Sequence, residues 1–213
     1  MGELKAVIFD LDGVICTTDE QHYLGWQALA DRLEIPFSRE VNNRFRGVSR
    51  MACMDILEQI GGKCYTDQEK LAYATWKNDY YRELLGEISP KDLSKEVKTT
   101  LDELRARGYV LAIGSSSKNT KYILQRLGLE GYFDGISDGT NIVRSKPDPE
   151  VFLKAADFIS IPYGDCLVVE DAVPGVEAAH AAGMKAAAVG DAAEKHVGDY
   201  ILEKFSDLLN ILK

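Results

Sequence analysis

The sequence predicts an α/β fold: a parallel sheet covered by helices on both faces, with a helical domain inserted after the first strand. Three observations carry this. Short apolar, β-rich runs recur at residues 6–9, 109–113, 166–169 and 186–189. Amphipathic stretches of helical spacing separate most of them. Between the first run and the second lies a long interval whose pattern is entirely helical. Strands that alternate with helices pair in parallel, because the crossovers lay helices over the sheet. In such sheets ligands bind beyond the strand C-termini.

The first run, 6–9, leads into Asp10-Leu11-Asp12-Gly13. Side chains at i and i+2 of an extended strand share a face, so two carboxylates point the same way before Gly13 lets the backbone turn. Two acids in one pocket repel unless a cation or a proton separates their charges. The pair therefore points to one carboxylate as nucleophile and the other as general acid/base, with Mg²⁺ between protein and substrate. A strand-end turn that happens to use Asp-x-Asp-Gly is the plainer alternative.

The interval that follows holds Trp26, Leu29 and Leu33, then Met54, Leu57 and Ile60, then a helical segment over 71–85. It predicts an all-helical insert over residues 16–91, hinged near Thr17-Thr18 and Ser89-Pro90. Residues 1–15 and 92–213 form the α/β domain. An insert placed directly after a catalytic strand is expected to act as a cap over the active site. Cys16 and Thr18 read as hinge residues. Beyond it, Val97, Leu101 and Leu104 predict a helix stopped at Gly108, and Ile123, Leu124 and Leu127 another stopped at Gly128. Val151, Phe152, Ala155 and Ile159 predict a third, ended by Pro162, and Val176, Ala179 and His180 a fourth, ended by Gly183.

Three further polar clusters follow strand ends in this scheme. Gly114-Ser115-Ser116-Ser117-Lys118-Asn119 opens a helix with small hydroxyl residues and free N–H groups, which suits a phosphate. Ser145-Lys146-Pro147-Asp148 places a cation before a helix start. Val168-Val169-Glu170-Asp171 ends a strand on two more carboxylates. Singly, these read as an ordinary helix cap, a solvated lysine and an acid-loaded helix start. Their order and spacing together are far more specific. Asp10, Glu170 and Asp171 offer the hard oxygens that Mg²⁺ prefers, and Lys146 would offset the charge of an incoming phosphate.

The formal charge of −9 argues against nucleic acid or an anionic membrane as partner. No apolar run approaches the ~18 residues of a membrane span, and the start of the chain lacks signal-peptide shape. Cys16, Cys53, Cys64 and Cys166 are scattered, as reduced thiols of a cytoplasmic protein would be. His180 and His196 read as solvent-facing residues without partners.

In all four motifs, and along essentially the whole chain, the sequence resembles the haloacid dehalogenase superfamily of phosphotransferases. The resemblance implies a Rossmann-like parallel-sheet core of that type with an inserted all-helical cap. It implies that Asp10 is the nucleophile that becomes an aspartyl-phosphate and Asp12 the general acid/base. Ser115 and Lys146 would hold the transferring phosphate. Asp10, Asp12, Glu170 and Asp171 would bind one Mg²⁺ per chain. Asp12 argues against the dehalogenase branch, which lacks an acid there. Ala172 departs from the Ser that many relatives carry after the acidic pair.

Within that superfamily the predicted cap is similar to the sugar-phosphate mutases. His22 and Trp26 lie four apart on one helical face, followed by Phe45-Arg46-Gly47-Val48-Ser49-Arg50 and Trp76-Lys77-Asn78-Asp79. This likeness implies that Arg50, in its Gly47-Val48-Ser49 setting, holds the phosphate that is not reacting, helped by Ser116, Ser117, Lys118 and Asn119. Lys77 would touch sugar hydroxyls, and His22 would couple cap closure to Asp12. Trp26 is assigned to the substrate site, with a place in the core as its alternative. The implied reaction interconverts β-D-glucose 1-phosphate and glucose 6-phosphate through a bisphosphate. A Mg²⁺-dependent sugar-phosphate phosphatase is the alternative. The expected partner is a small phosphorylated sugar, and a monomer is expected.

Overall fold

The β-rich runs form the centre of a six-stranded, wholly parallel sheet. The computed structural model describes residues 3–45 and 49–213. The chain divides into two compact units, Met1–Thr17 with Ser89–Lys213, and Thr18–Ile88. Cys16 and Thr17, and the short turn Pro90–Asp92, thus fall with the sheet.

In the α/β unit the elements are β1 (Ala6–Phe9), α5 (Lys95–Ala106), β2 (Val110–Gly114), α6 (Thr120–Arg126), β3 (Gly135–Ser137), α7 (Glu150–Ile159), β4 (Cys166–Glu170), α8 (Val173–Ala181), β5 (Lys185–Ala188), α9 (Gly190–Glu194), β6 (Tyr200–Ile201) and α10 (Leu208–Ile211). The sheet order is β3-β2-β1-β4-β5-β6. The two edge strands are absent from the sequence reading for a physical reason. At three and two residues, neither is long enough to show a period. In β3, moreover, Gly135 leaves Ile136 as the only large apolar residue. That glycine makes room for α7, since a Cβ there would lie 2.7 Å from Ile159 Cγ2.

Period-two alternation sends β1 side chains to opposite faces. Ala6 and Ile8 join Ala112, Cys166, Val168, Ala186 and Ala188 under α7 and α8, against Val151, Phe152, Ala155, Val176 and Ala179. Phe9 meets the rings of Phe133 and Phe205, at centroid distances of 6.3 and 5.8 Å. Burying such a ring stabilises the fold by roughly 2–3 kcal/mol. The second histidine, His180, is not partnerless: its Nε2 lies 3.0 Å from Asp199 Oδ2, which also accepts the Ala186 N–H.

The helical unit holds α1 (Asp19–Arg32), α2 (Arg39–Asn43), α3 (Arg50–Gly61) and α4 (Asp67–Leu85). Trp26, Leu29, Leu33, Phe45, Met54, Leu57 and Ala74 form its core. Ser49 caps α3 by accepting the Ala52 N–H, and Gly62 ends that helix in the left-handed region at φ 59°. Thr66 and Glu69 form a reciprocal capping box at α4. Among the described residues no helix is long and apolar enough to cross a membrane.

Candidate active site

Register sets the acids side by side. Phe9 lies level with Ile113 and Val169, and Gly114 with Ser137. The residues that come next, or end these strands, are therefore neighbours at the C-terminal edge: Asp10, Ser115, Asp138 and Glu170. Asp10 is 7 % exposed, and its N–H donates to the Val169 carbonyl. Gly13, at φ 86°, carries the chain away, and its N–H donates to the Cys16 carbonyl at 2.7 Å. A Cβ on Gly13 would overlap the Asp171 carboxylate. The glycine is thus needed twice, for its φ and for the space it leaves.

Lys146 binds the acids together. Its ammonium donates to Asp10 Oδ1 and to Glu170 Oε1, and lies 4.8 Å from the centre of the Phe152 ring. Burial works against that charge, but the two carboxylates outweigh it and hold the Lys146 ammonium above its ordinary range. Glu170 Oε2 accepts the N–H groups of Asp171 and Ala172 at 3.1 and 3.2 Å, just before the first turn of α8. Gly175, in that turn, has no side chain because a Cβ would overlap the Glu170 carboxylate. Burial, and then the Asp10 charge, push the Asp171 carboxyl up to about 7. Cys16 sits nearby, but burial and the charges of Asp12 and Asp10 push its thiol well up, which disfavours the nucleophilic thiolate.

The serine loop is built on its own hydrogen bonds. Ser115 Oγ accepts the Ser117 N–H, and Ser117 Oγ accepts the Asn119 N–H, both at 3.2 Å. Ser115 and Asn119 are buried and Lys118 is exposed. Ser116 Oγ is buried with no partner among the described residues. Sequence reasoning missed Gly139, which clasps this loop to the one carrying Lys146. Its N–H donates to the Ser117 carbonyl at 3.0 Å, and a Cβ would lie against the Ser116 carbonyl oxygen and 2.9 Å from the Lys118 backbone nitrogen.

A second polar group lies inside the helical unit. Lys77 is 3 % exposed, and its ammonium lies 3.1 Å from His22 Nδ1, over the faces of Trp26 (4.9 Å) and Tyr81 (4.6 Å). Tyr81 stacks on His22 at 4.1 Å and donates its hydroxyl to Thr18 Oγ1 at 2.9 Å. Thr18, read as a hinge residue, is thus 1 % exposed and hydrogen-bonded. Arg50 donates to Asn78 Oδ1 at 2.9 Å. Burial, then the positive charges of Lys77 and Arg50, hold the His22 imidazole well below its usual range. Trp26, 4 % exposed, is a core residue that enters this group through its ring face. Ser49 is occupied as a helix cap. Gly47 and Val48 lie outside the described residues. Tyr81 was missed, although its position four after Lys77 on one helix was the signal.

Among the described residues no three His, Cys, Asp or Glu side chains are gathered as a ready metal cluster in this conformation. Donor chemistry nevertheless fits Mg²⁺. Asp10, Asp12 and Asp171 supply hard oxygens, and burial, then the Asp10 charge, disfavours the Asp171 carboxylate in a way that a divalent cation beside it would relieve. The Glu170 oxygens already serve Lys146 and two backbone N–H groups.

A strand-end Asp-x-Asp, a serine loop, a buried lysine and an acidic pair on a parallel sheet define a class, and comparison with known proteins agrees. The family model described as haloacid dehalogenase-like hydrolase matches residues 4–183, and the chain belongs to that family. It is 38 % identical over 207 residues to the β-phosphoglucomutase of Bacillus subtilis, covering 96 % of this chain and 92 % of that one. It is 29 % identical to a phosphorylated carbohydrates phosphatase of Thermotoga maritima, over 99 % of each chain. Among solved structures, a β-phosphoglucomutase from Clostridium difficile superposes with a TM-score of 0.88 at 32 % identity, covering 96 % of this chain and 93 % of that one.

Proposed function

We propose that this chain is a phosphosugar mutase that interconverts β-D-glucose 1-phosphate and glucose 6-phosphate through β-glucose 1,6-bisphosphate. The observation that carries the chemistry is Asp10, a buried carboxylate at the sheet's C-terminal edge, ion-paired to Lys146 and two residues from Asp12. The likeness to β-phosphoglucomutases supports the choice of sugar.

In this reading, phosphorylated Asp10 transfers its phosphoryl group to a sugar hydroxyl. The Asp10 O–P bond breaks, a sugar O–P bond forms, and Asp12 takes the hydroxyl proton. The bisphosphate then presents its other phosphate. Asp10 attacks that phosphorus, the sugar oxygen leaves, and Asp12 returns the proton to it. Lys146 and Ser115 hold the moving phosphoryl group. Arg50, Ser117, Lys118 and Asn119 grip the phosphate at the other end, and Lys77 meets sugar hydroxyls. One Mg²⁺ per chain, held by Asp10, Asp12 and Asp171 beside Glu170, would neutralise charge on the transferring phosphoryl group. The enzyme is taken as a cytoplasmic monomer, a setting that its four free cysteines suit.

A sugar-phosphate phosphatase would use the same acids with water as the acceptor, so the test follows both products. Purified protein is given Mg²⁺, β-glucose 1-phosphate and a trace of the bisphosphate. Glucose 6-phosphate should form with little free phosphate. Free phosphate without isomerised sugar would establish the phosphatase instead. Asp10→Asn should abolish the phosphoenzyme and reduce turnover by at least about 10⁴-fold.

A further inference from the structure

We propose that Gly25 is a positioning residue whose missing side chain forms the slot in which the Lys77 chain crosses α1, so that it sets where the ammonium meets a phosphosugar. This rests on the proposed contact between Lys77 and the sugar. Gly25 sits in mid-helix, is buried, and has no left-handed φ that would require glycine. Glycine is a poor helix former there, so local propensity does not explain it. Packing does. A Cβ on Gly25 would lie 2.8 Å from Lys77 Cε and 3.5 Å from its Nζ, with Tyr81 Cβ at 3.6 Å. The tight contact is with the flexible end of the lysine and not with backbone, so the lysine would yield before the helix did.

What yields is the ammonium's address. Lys77 Nζ lies 3.1 Å from His22 Nδ1 and within 5 Å of the Trp26 and Tyr81 ring centres. A charged ammonium can only donate, so it selects the His22 tautomer that accepts at Nδ1 and carries its proton on Nε2. Pushing Cε out of the slot moves the charge relative to all three rings at once. Gly25 therefore acts through Lys77 without touching the ligand.

The test is Gly25→Ala in the full-length protein. It should fold with a melting temperature within a few degrees of wild type, since the better helix propensity of alanine offsets the displaced lysine contacts. The ¹⁵N resonance of His22 Nδ1 should shift, and calorimetric affinity for glucose 6-phosphate should fall about tenfold, the loss of roughly one charge-assisted hydrogen bond. In a Lys77→Met background, Gly25→Ala should cause no further loss of affinity. An unmoved His22 resonance, unchanged affinity, or a loss that adds fully to that of Lys77→Met would overturn the inference. Failure of the wild type to bind or turn over any glucose phosphate would strike the proposed function instead.

Discussion

Lys146 and Lys77 are both withdrawn from water, one in each unit, and their surroundings solve the same problem differently. The Lys146 side chain is 12 % exposed and lies between two carboxylates. Lys77 is 3 % exposed, with an imidazole nitrogen and two aromatic faces about its charge. The first setting is ionic, so removing the lysine would strand two like charges. In the second, the histidine and the rings contribute a dipole and two quadrupoles, and none of those three groups is a carboxylate left unpaired once the lysine is gone. The same residue type thus braces two carboxylates in one place and meets an imidazole and two ring faces in the other.

The sharpest way to break this contrast is Lys146→Met. It leaves Asp10 and Glu170 buried without their shared counter-charge and should cost about 3–5 kcal/mol in urea unfolding with chelator present. Added Mg²⁺ should restore part of that loss, and equal losses with and without Mg²⁺ would argue against a cation at these acids.

A smaller effect is set by pH. His22 has a lowered folded value, whereas its unfolded value lies near 6.5. Between the two, the unfolded chain binds the additional proton, so stability is intact above about pH 6.5. It falls as the pH drops toward the folded value, by up to about 1.4 kcal/mol per pH unit. The Asp171 carboxyl, pushed up to about 7, acts with the opposite sign over the same range. The His22 contribution is therefore the difference between wild type and His22→Gln in melting curves from pH 7.5 to 5, and it should grow as the pH falls. Smallest of all, Lys77→Met should change stability by no more than about 1 kcal/mol, because the lost cation–π contacts are offset by an apolar side chain in the same space. A loss as large as that of Lys146→Met would erase the contrast.

The α/β unit was largely legible in the sequence because its polar groups sit where strands end, and strands are marked by short apolar runs. Asp10, Ser115 and Glu170 could be placed from the chain alone. The edge strands β3 and β6 could not, being too short to show a period. The helical unit was legible as helices but less so as chemistry. Tyr81 belongs to the His22 group through a helix-to-helix contact, and its only local mark is its place four after Lys77 on α4. Ser49, assigned to a binding motif, also caps α3 by accepting the Ala52 N–H, a second role that the motif did not reveal. The close-approach glycines were the hardest to read. Gly25, Gly139 and Gly175 matter for what would collide with them, and sequence spacing does not report a distant neighbour.

Gly13 and Gly175 each leave room for an acid, Asp171 in one case and Glu170 in the other. Every glycine codon becomes, by any single-base missense change, the codon of a residue with a Cβ. At these two positions no one-step missense mutation is therefore sterically mild, for each places carbon where a carboxylate must lie. Two of the least reactive residues in the chain stand among those with the narrowest genetic latitude.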